Sequence, residues 1–236
     1  MQVQQPQQPV HLDARRRIAT ALTGFVHRFR FVLWGILGAA IVFLLVWFGW
    51  TEITRRQAAD STMKAEQAQA LYNQWVGEAD AVKKAELERD LVAKLDGLVQ
   101  RFGRLYGGQR GRLLRADLAF ERKAWDDAAK DYKELARRFP ASYLAPIALF
   151  NAAVCLEEKG DRDGALKAYV DIVTRWKDTA TAPRALFAIG RLSEDAGAWD
   201  EAKRRYEQLE AEWQDSVWTQ FAKNRLVALK VAGNIQ

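Results

Sequence analysis

The sequence is poor in the residues that catalysis and metal binding most often use. Of its 236 residues, two are histidine and one is cysteine. His11 and His27 both precede a long apolar run, so the rest of the chain offers no imidazole base or ligand. Cys155 is alone and can form neither an internal disulfide nor a C-x-x-C metal site. Because it stands between Val154 and Leu156, we interpret it as a packing residue.

Common catalytic motifs are also absent, since the sequence contains no G-x-x-x-x-G-K-[ST], G-x-S-x-G or H-E-x-x-H. The glycine-rich stretch at 107–111 lacks the strand and the Lys-Ser/Thr of a phosphate loop, and we interpret it as a hinge. Adjacent acidic pairs point in different directions on a helix and cannot share a substrate atom: Asp126/Asp127, Glu157/Glu158 and Asp200/Glu201. We therefore predict that the protein is not an enzyme, with no catalytic residues, metal or cofactor.

The positive charge is concentrated at one end of the chain. The net charge is +6, of which +4 lies in residues 1–30 and none in residues 31–50. A surface that binds nucleic acid normally needs a concentrated basic patch, and the remaining 186 residues carry only +2. We expect no nucleic acid partner and no small-molecule substrate.

One segment has the composition of a membrane span. Residues 31–50 contain no charged side chain, and 20 residues match the thickness of the hydrocarbon layer. Trp34, Trp47 and Trp50 lie toward its two ends, as interfacial aromatic residues do. A cleavable signal peptide would have a shorter apolar run and a small-residue cleavage site. The sequence predicts a single-pass transmembrane helix at 31–50.

The flanks of this span suggest its orientation. Residues 1–13 are mostly polar and proline-interrupted, which predicts a disordered tail. Residues 14–30 form a basic flank that is either an amphipathic helix in the headgroup region or a simple charged border. Five arginines in the 20 residues before the span, against three cations in the 20 after it, favour a cytoplasmic N-terminus. The expected location is the bacterial inner membrane with a periplasmic C-terminal part; a cytosol-facing receptor is the alternative.

The stretch from Trp125 to Tyr132 recurs twice at an interval of 37 residues. Small, aromatic, aliphatic and aromatic residues repeat in register: Ala128/Ala165/Ala202, Tyr132/Tyr169/Tyr206, Leu135/Ile172/Leu209 and Phe139/Trp176/Trp213. Their spacing places the first three sets on one side of a helix. A partner helix precedes each, with small mid-helix residues and expected N-caps: Ala116/Ala153/Gly190 and Ser142/Thr179/Ser216. Three equal copies predict an all-α solenoid of helix hairpins.

We expect a linker helix at 52–76 and a degenerate first repeat within 51–106, because Leu91, Leu95 and Phe102 precede Ala128, Tyr132 and Phe139 by 37 residues. Three repeats and a capping helix are expected over 107–236. The predicted helices are 80–102, 112–122, 125–138, 144–158, 162–175, 182–196, 199–213 and 217–231.

The repeats resemble the tetratricopeptide repeat, in which a small residue precedes A-x3-F/Y and then proline. Ala128-x3-Tyr132 followed by Pro140 fits, whereas Lys177 and Gln214 replace the proline in the next two units. The order of basic tail, span, linker helix and repeats resembles the YfgM-type family, inner-membrane tetratricopeptide proteins that accompany the Sec translocon and periplasmic chaperones. The longer period and the Phe-Pro-Ala-Ser junction within 138–142 are similar to the Tol-Pal-associated cell division coordinator.

The resemblance implies a concave groove, lined by the first helix of each hairpin, that receives a peptide or helix from a protein partner. Register places eight side chains toward it: Arg110, Phe120, Ile147, Phe150, Val154, Arg184, Phe187 and Arg191. In the alternative interpretation Phe150 and Phe187 belong to the core between repeats. The expected function is a membrane-tethered adaptor in translocation or chaperone traffic; the alternative is a structural organiser of cell-wall, outer-membrane or motility machinery.

Overall fold

The structure is a computed structural model that describes the backbone of residues 11–236 and the side chains of residues 31, 32 and 34–236. In this part of the chain all regular structure is α-helical. The contacts divide the chain into two units, Met1–Gln57 and Ala58–Gln236. Residues 1–10 of the predicted tail lie outside the described residues, and so do the side chains of the basic flank at 14–30.

The first helix, α1, runs from His11 to Gly77. It begins within the last three residues of the predicted tail and includes the segment predicted as a separate linker helix. No glycine or proline stands between Thr51 and Val76 to interrupt it. In residues 31–50 the large apolar side chains are exposed where they are described, from 48% at Leu37 to 75% at Phe31. By length and composition, the part of α1 that starts at Trp34 could cross a membrane.

The second unit contains the rest of α1 and eight further helices within the described residues. These are α2 Ala81–Phe102, α3 Tyr106–Glu121, α4 Trp125–Arg138, α5 Leu144–Glu158, α6 Arg162–Arg175, α7 Thr181–Asp195, α8 Trp199–Glu212 and α9 Val217–Val231. From α4 onward each bound lies within one residue of its prediction. The all-α solenoid is thereby confirmed.

The repeated residues form the hairpin cores. All nine small and aromatic positions are buried: Ala116, Ala153, Gly190, Ala128, Ala165, Ala202, Tyr132, Tyr169 and Tyr206. A methyl group added at Gly190 would overlap the ring of Tyr206. The two helices of a hairpin therefore approach closely through a small residue on one and a tyrosine on the other.

The predicted helices 80–102 and 112–122 leave nine residues between them, whereas only three residues separate α2 from α3 in the structure. The interpretation of 107–111 as a hinge is wrong, because these residues form the first turns of α3 and their glycines are buried. A Cβ at Gly107 would overlap the carbonyl oxygen of Ser61 in α1, and one at Gly108 would overlap that of Phe102. The glycines allow helices to touch here, and they do not provide flexibility.

The expected N-caps differ among the units. Ser216 caps α9 and accepts a bond from the backbone N–H of Trp218 at 3.3 Å. Ser142 accepts a bond from the backbone N–H of Leu144 at the same distance, but it lies two residues before α5, whose N-cap position is Tyr143. The prediction for Thr179 is wrong, because its hydroxyl donates to the carbonyl of Trp176 and does not cap α7.

Candidate functional site

Two neighbouring cavities mark the surface where first helices of successive hairpins meet. The first cavity has a volume of about 230 Å³ and the second about 370 Å³. The first is lined by Tyr72, Asp117, Phe120, Glu121, Tyr132, Asn151, Val154 and Arg184. The second is lined by Phe150, Val154, Glu157, Glu158, Tyr169, Arg184, Phe187, Ala188, Arg191 and Trp218. Because Val154 and Arg184 line both, the cavities adjoin and form one groove.

Six of the eight predicted groove residues line these cavities: Phe120, Phe150, Val154, Arg184, Phe187 and Arg191. The other two lie elsewhere. The Arg110 guanidinium donates to the side-chain carbonyl of Gln69 at 2.7 Å, on α1. Ile147 is 38% exposed and lines neither cavity.

Phe150 and Phe187 belong to the hydrophobic core and to the cavity wall at once. The Phe150 ring is 5% exposed and lies 5.1 Å from the ring of Tyr169. Phe187 is half-buried, with its ring centroid 5.6 Å from that of Tyr206 and 5.5 Å from that of Trp218. The two interpretations of these phenylalanines do not exclude each other.

Arg184 is the least neutralised cation of the groove. Its guanidinium lies 4.0 Å from the ring centroid of Phe150 and 5.7 Å from that of Trp218. No carboxylate forms an ion pair with it in the described part of the chain. Stacking on a ring leaves the edge of a guanidinium free to donate hydrogen bonds. Arg184 can therefore pack on aromatic rings and bind a partner's acceptor.

Two tyrosines bond to carboxylates that arginines of the next first helix neutralise. Tyr169 donates to Glu157 at 2.6 Å, and Arg191 forms an ion pair with the same carboxylate. Burial acts to lower the pKa of Arg191 and is the largest single effect, but the hydrogen bond to Glu157 and the negative charges nearby together raise that pKa.

The same arrangement occurs one repeat later. Tyr206 donates to Glu194 at 2.5 Å, and the Arg225 Nε donates to that carboxylate at 3.0 Å. Burial acts to raise the pKa of Glu194, while the bonds from Arg225 and Tyr206 lower it below its usual value. These charges link consecutive repeats and are already satisfied within the protein.

The first cavity has a different charge balance. Tyr132 donates to Asp117 at 2.5 Å, but neither Asp117 nor Glu121 forms an ion pair among the described residues. Burial raises the pKa of Asp117 despite the bond from Tyr132. Burial and the charges of Asp117 and Glu121 raise the pKa of Tyr72 to about 12. The cavity is therefore aromatic and negative.

Sequence reasoning missed several lining residues. Tyr72 lies in the predicted linker helix, but nothing in the sequence of that helix indicated that α1 reaches the groove. Register does place Asp117 toward the groove. Trp218 belongs to the helix that we expected only to cap the array. Cys155 is buried as expected, and burial raises its pKa to about 11, so the thiol is protonated at neutral pH.

Comparison with known families agrees with the fold of helix hairpins. A model of the tetratricopeptide repeat-like domain matches residues 30–171, more than half of the chain, and includes the apolar run. A model of the tetratricopeptide repeat matches residues 184–216. The comparison with curated proteins gives no match. Domains of this kind bind protein partners and are typically not enzymes. The chain belongs to the family of the tetratricopeptide repeat-like domain.

Proposed function

We propose that this protein is an adaptor tethered to the bacterial inner membrane, with a groove that binds a segment of a partner protein. The cytoplasmic N-terminus and periplasmic repeat domain expected from the sequence are part of this proposal. The observation that carries it is the second cavity, where Arg184 stacks on Phe150 beside Phe187 and Trp218.

The second cavity has the chemistry of a protein-binding site. Aromatic and arginine side chains carry much of the free energy at protein interfaces, and the cavity combines four aromatic residues with Arg184 and Arg191. Arg191 is engaged by Glu157, so Arg184 is the arginine that remains available to a partner.

The exposed apolar run supports a membrane tether. Its large apolar side chains are exposed in the described part of the first unit, and burial of such a surface in lipid is favourable. A tether raises the effective concentration of the groove for other membrane-associated proteins. Together with the resemblance to the YfgM-type family, this supports a role in protein translocation or periplasmic chaperone traffic.

The alternative is a structural organiser of cell-wall, outer-membrane or motility machinery. It is favoured by the junction at 138–142, which is similar to that of the Tol-Pal-associated coordinator. In the structure the carbonyl of Pro140 accepts a bond from the indole of Trp176 at 2.9 Å, which joins consecutive repeat junctions.

Photo-crosslinking in native membranes tests the groove and identifies the partner. A photoreactive amino acid replaces Glu158, an exposed residue of the second cavity. Adding Phe187→Ala and Arg184→Glu should reduce the crosslinked product roughly tenfold or more, because hot-spot losses commonly exceed 2 kcal/mol. Translocon or chaperone adducts support the first function, and cell-wall, outer-membrane or motility adducts support the second.

Lys167→Glu provides a matched control, because Lys167 is exposed on α6 and lines neither cavity. It changes charge by the same amount as Arg184→Glu and should leave the crosslinks unchanged. Circular dichroism checks that each variant keeps its helix content. Undiminished crosslinking in a folded Phe187→Ala, Arg184→Glu variant would reject the groove.

A further inference from the structure

We propose that the first cavity binds a cationic side chain, a lysine or an arginine, that the partner segment supplies. This rests on the proposed groove function and specifies the chemistry of the partner. Later repeats neutralise a groove carboxylate with an arginine of the protein itself, whereas no ion pair neutralises Asp117 among the described residues.

The later repeats show how the fold neutralises a groove carboxylate. Glu157 of one hairpin pairs with Arg191 of the next, and Glu194 pairs with Arg225 of the helix that follows. In both cases a tyrosine hydroxyl also bonds to the carboxylate, and the arginine comes from the following first helix.

The first repeat has the tyrosine and the acid, but no arginine forms an ion pair with Asp117 in the described part of the chain. The charge of Arg110 acts on Asp117, but the Arg110 guanidinium bonds to Gln69. Tyr132 donates to Asp117 as Tyr169 does to Glu157. The position of Arg191, counted back by one period of 37 residues, is occupied by Val154. An apolar side chain thus lines the first cavity where the next repeat has an arginine.

The cavity walls suit a cation. Two carboxylates, Asp117 and Glu121, lie among three aromatic rings, those of Tyr72, Phe120 and Tyr132. An ammonium or guanidinium group is attracted both to carboxylates and to ring faces. The volume of about 230 Å³ is below that of cavities that enclose drug-sized ligands, so one long side chain is the occupant that fits.

Arg184 does not neutralise this cavity. It is one cation against two carboxylates among the lining residues, and its guanidinium stacks on Phe150, a residue of the second cavity. A cation of the partner therefore neutralises the carboxylates of the first cavity, as Arg191 and Arg225 neutralise Glu157 and Glu194.

The test uses the full chain in nanodiscs with 13C-labelled tyrosine rings. The chain has six tyrosines, and Tyr72→Phe assigns the Tyr72 signal. The probe is the capped tripeptide acetyl-Ala-Arg-Ala-amide. Its neutral counterpart contains citrulline, which keeps the shape of arginine without the charge. We expect the Tyr72 signal to shift saturably with the arginine peptide and the citrulline peptide to bind about tenfold more weakly.

Variants assign the effect to the carboxylates. Glu121→Gln, at an exposed position, and Asp117→Asn each remove one negative charge and should weaken binding of the arginine peptide severalfold. Glu158→Gln removes a charge from the second cavity only and should leave the Tyr72 response unchanged.

Three results would overturn the proposal: a Tyr72 signal that the arginine peptide does not shift, equal binding of the arginine and citrulline peptides, or a stronger response to acetyl-Ala-Glu-Ala-amide. The crosslinking experiment separates this proposal from the groove function. If the Phe187→Ala, Arg184→Glu variant loses its crosslinks but the wild type shows no preference for the arginine peptide, the groove is retained and the cationic subsite is rejected. If the wild type prefers the arginine peptide but the variant keeps its crosslinks, the cationic subsite is retained and the groove is rejected.

Discussion

Buried tyrosines and their carboxylate partners organise the repeats at the scale of single residues. Tyr132, Tyr169 and Tyr206 occupy equivalent positions, and each hydroxyl donates to an acid in the first helix of its hairpin. A buried hydroxyl without a partner would lose stability, so the acid is required wherever the tyrosine is buried. The environments of Asp117 and Glu194 differ, and the pKa values of these two acids shift in opposite directions.

This difference predicts opposite pH effects of two substitutions. Burial raises the pKa of Asp117, so its contribution to the free energy of unfolding is greatest below the unfolded pKa of about 3.9 and is lost as pH rises through the raised value. Because the pKa of Glu194 is lowered, its contribution to the free energy of unfolding is present above the unfolded pKa of about 4.3 and is lost as pH falls through the lowered value.

Relative to wild type, Asp117→Asn should therefore become more stable as pH rises from about 4 to 7, and Glu194→Gln should become less stable as pH rises from about 2 to 5, each by about 1.4 kcal/mol per unit of pKa shift. Urea unfolding of each variant over its own pH range measures the two slopes. Slopes of the same sign would contradict the assigned environments.

Glycines in α3 and α2 have opposite roles. Ala is favoured over Gly in a helix by up to about 1 kcal/mol. At Gly107 a Cβ would overlap Ser61, whereas Gly97 has no heavy atom within 4 Å of such a Cβ. We expect Gly107→Ala to reduce the free energy of unfolding by roughly 1–3 kcal/mol and Gly97→Ala to increase it by about 0.5–1 kcal/mol. Thermal unfolding compares them, and equal effects would reject the close contact.

At the scale of helices, repeat order and turn chemistry predicted the boundaries well. Proline and glycine signals end helices locally, so α4, α5, α6 and α9 begin and end at the predicted residues. Two predictions were wrong, the hinge at 107–111 and a linker helix separate from the apolar run, because each rested on a short stretch of sequence alone. The glycines at 107–111 are helical because α3 packs against α1, and α1 is continuous because no helix breaker separates its segments.

An ion pair joins α9 to α7 in addition to the apolar packing of α9 on the core. The side chain of Glu194 is 5% exposed and that of its partner Arg225 is 50% exposed. Because the arginine is half in solvent, Arg225→Met should cost about 1–3 kcal/mol, less than loss of a fully buried pair. We expect faster amide hydrogen exchange throughout α9, since its local opening becomes easier.

Arg204→Met is the matched control, because Arg204 pairs with Glu201 within one exposed helix face. Such pairs contribute about 0.3–0.5 kcal/mol, so hydrogen exchange in α9 should stay unchanged. If the Arg225→Met variant exchanged at the wild-type rate, the ion pair would have no role in holding α9.

At the scale of the whole molecule, the apolar run and the repeats have different solvent requirements. The run exposes large apolar side chains, whereas the repeats bury theirs in hairpin cores. Our proposal requires the run to lie in lipid with the repeats on the far side from the cytoplasm.

A phosphatase that is active only outside the cytoplasm tests this topology when it is fused after Gln236. We expect an active fusion, because five arginines precede the span and three cations follow it. A matched fusion at Ala14, before the span, should be inactive. The reverse pattern would indicate the cytosol-facing alternative.

The sequence by itself determined the helices, the hairpin order and the residues that pack within each hairpin, because these follow from local propensity and an unchanged 37-residue period. The tertiary structure decided which side chains of different repeats meet. The cavity that joins Tyr72 of α1 to Asp117, and the unequal neutralisation of Asp117 and Glu157, depend on distances between separate helices. Periodicity repeats positions along the chain, but it does not determine which charges compensate one another across it.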